Sequence, residues 1–145
     1  MLLDSLPLLL EQALAMGWPD KQEQPACVHI EIVLADDELL HQLNHEYRGK
    51  DKPTNVLSFP QYPAFGPFTP QPDGQVMLGS LVLSLTRLLE EAKEQQKLPE
   101  HHVKHLFIHG ALHLLGYDHE TDEEAAIMEG LEKEILQPMG INCYE

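Results

Sequence analysis

Within residues 4–16, Leu6, Leu9, Leu10, Ala13 and Leu14 recur at helical spacing until Gly17 and Pro19 break it, which predicts an amphipathic helix. From Val28 to Leu34 the period becomes two. Val28, Ile30, Ile32 and Leu34 alternate with His29, Glu31 and Val33, as in a half-buried strand. Asp36 is placed to cap a second helix with Leu39, Leu40 and Leu43 as its buried stripe, ending near Tyr47 and Gly49. Val56 to Phe59 is a short strand candidate. Behind it, Pro60, Pro63, Pro67, Pro70 and Pro72 exclude helix and central strand. Phe59, Tyr62, Phe65 and Phe68 need packing partners, so this stretch reads as a packed surface loop bordering a site, with a turn at Asp73 and Gly74. Val76 to Leu78 and Leu81 to Leu83 supply one or two strand segments around Gly79. Ser84 then caps a helix to about Lys97, and Pro99 opens the next. Thr121, with Glu124 three positions on, starts a last helix carrying Ala125, Ile127, Met128 and Leu131.

These elements fill 145 residues, the length of one domain with one core, so residues 1–145 are read as a single unit. The composition, 43% hydrophobic and 23% charged, excludes a disordered chain. Acidic residues outnumber basic ones 24 to 9, and a net charge of -15 repels phosphate backbones and anionic membranes as a whole. Any contact with nucleic acid is therefore local. The leucine-rich N-terminus meets Glu11 before any basic residue, so neither a signal peptide nor a membrane span is expected. Cys27 and Cys143 lie far apart without a Cys-x-x-Cys pair, which predicts reduced thiols of a cytoplasmic protein rather than a disulfide framework.

Chemistry concentrates in two places. In His109-Gly110-Ala111-Leu112-His113-Leu114-Leu115-Gly116-Tyr117-Asp118-His119, His109 and His113 stand four apart, on one face of the helix that Pro99 opens. Gly116 can end that helix and turn the chain so that His119 meets the other two. Three imidazoles suit zinc, and three protein ligands leave a position for water, the mark of a catalytic site; a fourth ligand would make the site structural. His105, one turn before His109, and Asp118 are candidate partners that orient the ligands. Gly110, costly inside a helix, implies a close neighbour. The spacing is that of metzincin peptidases, but Gly110 stands where those carry their general-base Glu, which disfavours a peptidase. The second place is Arg48, Gly49, Lys50, Asp51, Lys52, Pro53. It is either an electrophilic patch for phosphate or a solvated turn.

Tyr47 to Pro60 (YRGKDKPTNVLSFP) together with His109 to His119 closely resembles the YbeY family of bacterial metal-dependent endoribonucleases, and the likeness extends over about residues 28–140. The resemblance implies an α/β (α+β) domain. Its small, mostly four-stranded sheet would pack against about five helices, with the metal-binding helix in the core. It implies one Zn2+ held by His109, His113 and His119, with Arg48 and His109 as catalytic residues and Arg48, Lys50 and Lys52 on RNA phosphates. It further implies cleavage of single-stranded RNA, maturation of rRNA at the 3′ end of the small-subunit species, and ribosome quality control in the cytoplasm. The partners would be the small ribosomal subunit and its proteins, with no DNA and no membrane. One departure stands out: the family usually has Gly-Asp where this chain has Gly79-Ser80. Two alternatives remain open at this point, an assembly factor with a structural metal and a metal hydrolase of another substrate such as a peptide.

Overall fold

A computed structural model describes residues 6–19, 27–49 and 54–141. The elements follow in the order α1 (Leu6–Gly17), β1 (Val28–Ala35), α2 (Asp37–Arg48), β2 (Val56–Pro60), β3 (Val76–Ser84), α3 (Leu85–Glu94), α4 (Pro99–Leu115) and α5 (Asp122–Leu136), closed by a 3-10 turn at Gln137–Met139. Every helix boundary that the sequence predicts falls within two or three residues of its expected position, the end of α3 among those that depart most. α3 stops at Glu94, because Gln96 enters the left-handed region at φ 57° and Lys97 turns its N–H back to the carbonyl of Ala92.

The three strands form one sheet in the order β1-β3-β2, with β1 parallel and β2 antiparallel to β3. The expected fourth strand is absent among the described residues. The leucine spacing of residues 6–17 makes that segment a helix, and β1 therefore lies at an edge. The two apolar runs around Gly79 join into the single central strand β3, nearly all of which is buried.

Alternation along β3 assigns the helices to the two faces. Leu81 points at Gly110 of α4, whereas its neighbour Val82 clusters with Leu40 of α2 and Leu57 of β2. α4 thus lies on one face, packed with α1 and α5 through Leu9, Phe107, Ile108, Leu112, Met128 and Ile135, and α2 covers the other. Within α2, Leu39 is 40% exposed, contrary to the expected stripe, and Asn44 is buried in its stead.

Gly79 is held at φ 146° where β3 passes β2, so close that a Cβ would lie 2.2 Å from the carbonyl oxygen of Phe59. At the other end of the strand, Ser84 Oγ accepts from the backbone N–H of Arg87, capping α3, and donates to Asp37 Oδ1 at 2.6 Å. Arg87 donates to both oxygens of the same carboxylate, at 3.2 and 3.3 Å. The bond from Ser84 outweighs the opposing effect of burial and, with the Arg87 guanidinium, holds Asp37 below the usual carboxylate range.

The caps read from the sequence are made. Asp36 Oδ1 accepts from Leu39 N at 2.8 Å, and Thr121 Oγ1 accepts from Glu124 N at 3.1 Å. Thr121→Ala is expected to lower unfolding free energy by about 1 kcal/mol. Urea denaturation reads this directly, and an unmoved midpoint would show that the hydroxyl contributes nothing.

Candidate metal centre

α4 starts at Pro99, which needs no N–H donor there, and stops at Gly116, whose φ of 120° and crowded Cα position both require glycine. A Cβ on Gly116 would meet Phe65 N at 2.6 Å, since the proline-rich loop crosses the helix end and Phe65 donates its N–H to the carbonyl of Leu115 at 2.8 Å. The loop thus packs over the end of the helix that carries His109 and His113. Phe65 itself sits at φ 62° with its ring edge-on to Tyr117. Gly110 is explained as well. A Cβ there would lie 2.9 Å from Leu81 and 3.4 Å from Val56, so the close neighbour is the sheet. Ser58 adds a hydrogen bond from its hydroxyl to the Gly110 carbonyl at 3.3 Å.

α4 is pressed onto the sheet at Gly110, His109 and His113 stand one turn apart along its flank, and the turn after Gly116 brings His119 to them. One nitrogen from each ring lies within 4.8 Å of the others, and the ring centroids are 4.6 to 5.3 Å apart. The Nε2 atoms of His109 and His113 are 3.1 Å apart. Two imidazole nitrogens on a tetrahedral zinc would stand roughly 3.3 Å apart at a Zn–N distance of about 2.05 Å, so this pair already has the span of a shared ion. The donor set fits a metal, and among the described residues the cluster comprises these three side chains.

Burial, followed by the like charges of His109 and His119, pulls His113 down to about 4, against smaller opposing effects of Asp118 and a hydrogen bond to the Tyr117 backbone. His113 is therefore a neutral donor at physiological pH. A folded-state value below the unfolded 6.5 means that the unfolded chain binds more protons between the two. Stability of the metal-free protein should thus fall as pH drops from about 6.5 to about 4. His113→Ala should flatten that slope in denaturant titrations at pH 4.5 and 7.5, and an unchanged slope would assign it to other groups.

One residue of this site stands outside both sequence motifs. Glu132 of α5 is fully buried, and its Oε1 lies 2.9 Å from His105 Nε2 and 3.2 Å from His109 Nδ1. Burial raises its pKa, but hydrogen bonds from the two imidazoles and their charges prevail and bring it to about 2. His105 is thus tied to the cluster through Glu132. Asp118 contacts backbone, accepting from the N–H of His119 at 2.8 Å. A signal for Glu132 did exist, since it stands one helical turn after Met128, on the stripe that α5 buries.

The side chain of Arg48, at the end of α2, lies outside the described residues, as do Lys50 and Lys52. The entry to β2, just beyond the basic loop, is anchored. Asn55 donates from its side chain to Glu91 Oε1 at 2.9 Å, and the same oxygen is 3.0 Å from Nε2 of the buried His102. Ser80 donates to Glu31 Oε1 at 3.1 Å, so a carboxylate stands on the adjoining strand where the chain itself carries a hydroxyl.

Fold and site together define an α+β domain in which a central helix and the turn after it gather a His-x-x-x-His-x-x-x-x-x-His set into one cluster with the geometry to hold a metal ion. The family model described as Endoribonuclease YbeY matches residues 5–140, and the chain belongs to the YbeY family. Endoribonuclease YbeY of Nitrobacter winogradskyi is 47% identical over 129 residues, 89% of this chain and 66% of the relative. The Nitrobacter hamburgensis protein of the same name is 51% identical over 110 residues, 76% of this chain and 57% of the relative. That of Rhizobium etli is 42% identical over 133 residues, 90% and 75% of the two chains. The chain therefore spans less than two-thirds of the length of both Nitrobacter relatives. The solution structure of TM1509 from Thermotoga maritima superposes with a TM-score of 0.55 at 26% identity, over 95% of this chain and 83% of that one. Among the described residues, no helix is long and apolar enough to cross a membrane.

Proposed function

We propose that this protein is a metal-dependent endoribonuclease that cleaves single-stranded RNA, with Zn2+ at His109, His113 and His119. The observation that carries this reading is the convergence of the three imidazole nitrogens within 4.8 Å at the end of α4. Relatives named Endoribonuclease YbeY supply the substrate class. When bound, the metal supplies a Lewis acid and a water acidified towards neutral pH, which makes a carboxylate base at position 110 unnecessary.

The chain's own groups then have distinct tasks. His109 and His113 offer neutral nitrogens from one rigid helix, and His119 closes the set from the turn. Arg48 offers a planar pair of donors to phosphate oxygens as negative charge builds on phosphorus. Lys50 and Lys52 hold neighbouring phosphates on an otherwise acidic protein, so the salt dependence of RNA binding is shallow. In the cell the substrate is rRNA, notably the 3′ end of the small-subunit species, met in the cytoplasm on the small ribosomal subunit, with neither DNA nor membrane as partner.

The test is cleavage of end-labelled single-stranded RNA by zinc-loaded protein, by protein stripped with chelator, and by Arg48→Ala. Stripping should abolish cleavage and zinc should restore it. Arg48→Ala should lose about a hundredfold in rate at unchanged metal content. Equal cleavage by all three samples, or none from the folded, loaded parent, would refute the proposal.

A further inference from the structure

Glu132 stands on a different helix from every histidine of the cluster, yet it is 0% exposed and delivers a single oxygen, Oε1, to two imidazoles one turn apart on α4. An ionised carboxylate has no proton to donate, so both rings must donate to it. For His109 the consequence is definite. With its proton on Nδ1, its lone pair lies on Nε2, the atom that faces His113 Nε2 at 3.1 Å. Without such a partner an imidazole distributes its proton over both nitrogens and rotates between them, and only one of those arrangements chelates. The geometry points to Glu132 as a positioning residue that locks His109 in the Nδ1–H form and aims its Nε2 at the metal position, with His105 as the second donor that steadies the shared oxygen.

The arrangement has an energetic logic as well. A carboxylate buried between α4 and α5 would be severely destabilising alone, and two N–H donors satisfy the oxygen that faces them. α5 is thereby joined to the metal centre by a charged contact as well as by its apolar stripe. A carboxylate partner of this kind is a common outer support for an imidazole that ligates through its far nitrogen.

This inference rests on the reading of the histidines as a metal centre, and the two can fail separately. The first measurement is a long-range proton–nitrogen correlation spectrum of the metal-free protein, which reads the His109 tautomer without any metal. His109 should be Nδ1–H in the parent and a mixture of tautomers in Glu132→Gln, which keeps the shape but not the charge. The second is Co2+ affinity, followed by the visible absorption of the bound ion in competition with a chelator. Glu132→Gln should bind about 10- to 100-fold more weakly. His105→Gln, which leaves the Glu132 to His109 bond in place, should change affinity by no more than about threefold. An Nε2–H form of His109 in the parent would overturn the proposal whether or not the variants fold, as would a Glu132→Gln protein with parental tautomer and affinity. A parent with the expected tautomer but no cobalt absorption would instead overturn the metal-centre reading and leave the locking of His109 standing.

Discussion

His113→Ala should eliminate stoichiometric metal binding and lower RNA cleavage by about three orders of magnitude while the fold survives. A ligand on the last turn of α4 cannot be replaced by a neighbour, because the next side chains along the helix, Leu114 and Leu115, are apolar and fully engaged in the core. With only His109 and His119 left, the ion has two protein nitrogens, too few for a stable site of the three-ligand type. Several kcal/mol of transition-state stabilisation are lost with it, hence the thousandfold estimate. The substitution should not harm the apoprotein, since burial and two neighbouring imidazoles already disfavour a charge at position 113. Metal analysis of the purified variant beside its circular dichroism spectrum decides the matter. One equivalent of firmly held metal in His113→Ala would move the site elsewhere.

Gly79→Ala should be the most damaging single-methyl change in the chain, destabilising it by about 3 kcal/mol or more. Two penalties act together. At φ 146° an L side chain is strained whatever the space around it, and the added carbon would lie 2.2 Å from the Phe59 oxygen and 3.0 Å from Pro60 Cα. Those are backbone atoms of the paired strand and cannot rotate away. Relief requires β2 to part from β3, and β2 is the strand that comes after the basic loop and packs Val56 beneath Gly110. Gly110→Ala offers the contrast: its obstacle is the tip of Leu81, and the helix-forming advantage of Ala offsets part of the crowding. Chemical denaturation of both variants should place Gly79→Ala well below Gly110→Ala. The reverse order would show that β2 yields more readily than the Leu81 side chain.

Legibility in the sequence followed the range of the interactions. Elements set by neighbours in the chain were readable, including the α1 leucines, the β1 alternation and the caps at Asp36, Ser84 and Thr121. So was the histidine set, because four residues on a helix and a glycine bend are local geometry. Gly110 announced a close neighbour but not its identity, since Leu81 approaches from a strand 29 positions away. Glu132's place on the buried stripe of α5 could be read, but its partners could not, for the same reason: its hydrogen bonds span 23 and 27 positions, and by composition it is one more acid in a strongly acidic helix. The fourth strand was a borrowed expectation, and the leucine periodicity of residues 6–17 already argued for a helix there. Leu39 departs from the expected burial because a three-leucine stripe is wider than the surface that α2 covers.

The Ser84, Asp37 and Arg87 contacts also bear on how a polyanion can approach. β1 and β3 run parallel, Ala35 pairs with Ser84, and each strand leads straight into a helix, so two positive helix starts stand side by side at one end of the sheet. In open α/β sheets that end is the customary landing place for phosphate. Here the place is taken from within: the Asp37 carboxylate draws the Ser84 hydroxyl and the Arg87 guanidinium to itself. The chain supplies its own counterion, and an incoming phosphate at this edge finds the helix starts and the guanidinium already matched. Arg48 ends the same helix at its far end, roughly 16 Å of helical rise away. On the proposed role of Arg48, a backbone that finds no welcome at one end of α2 and a partner at the other is given a direction before it touches anything.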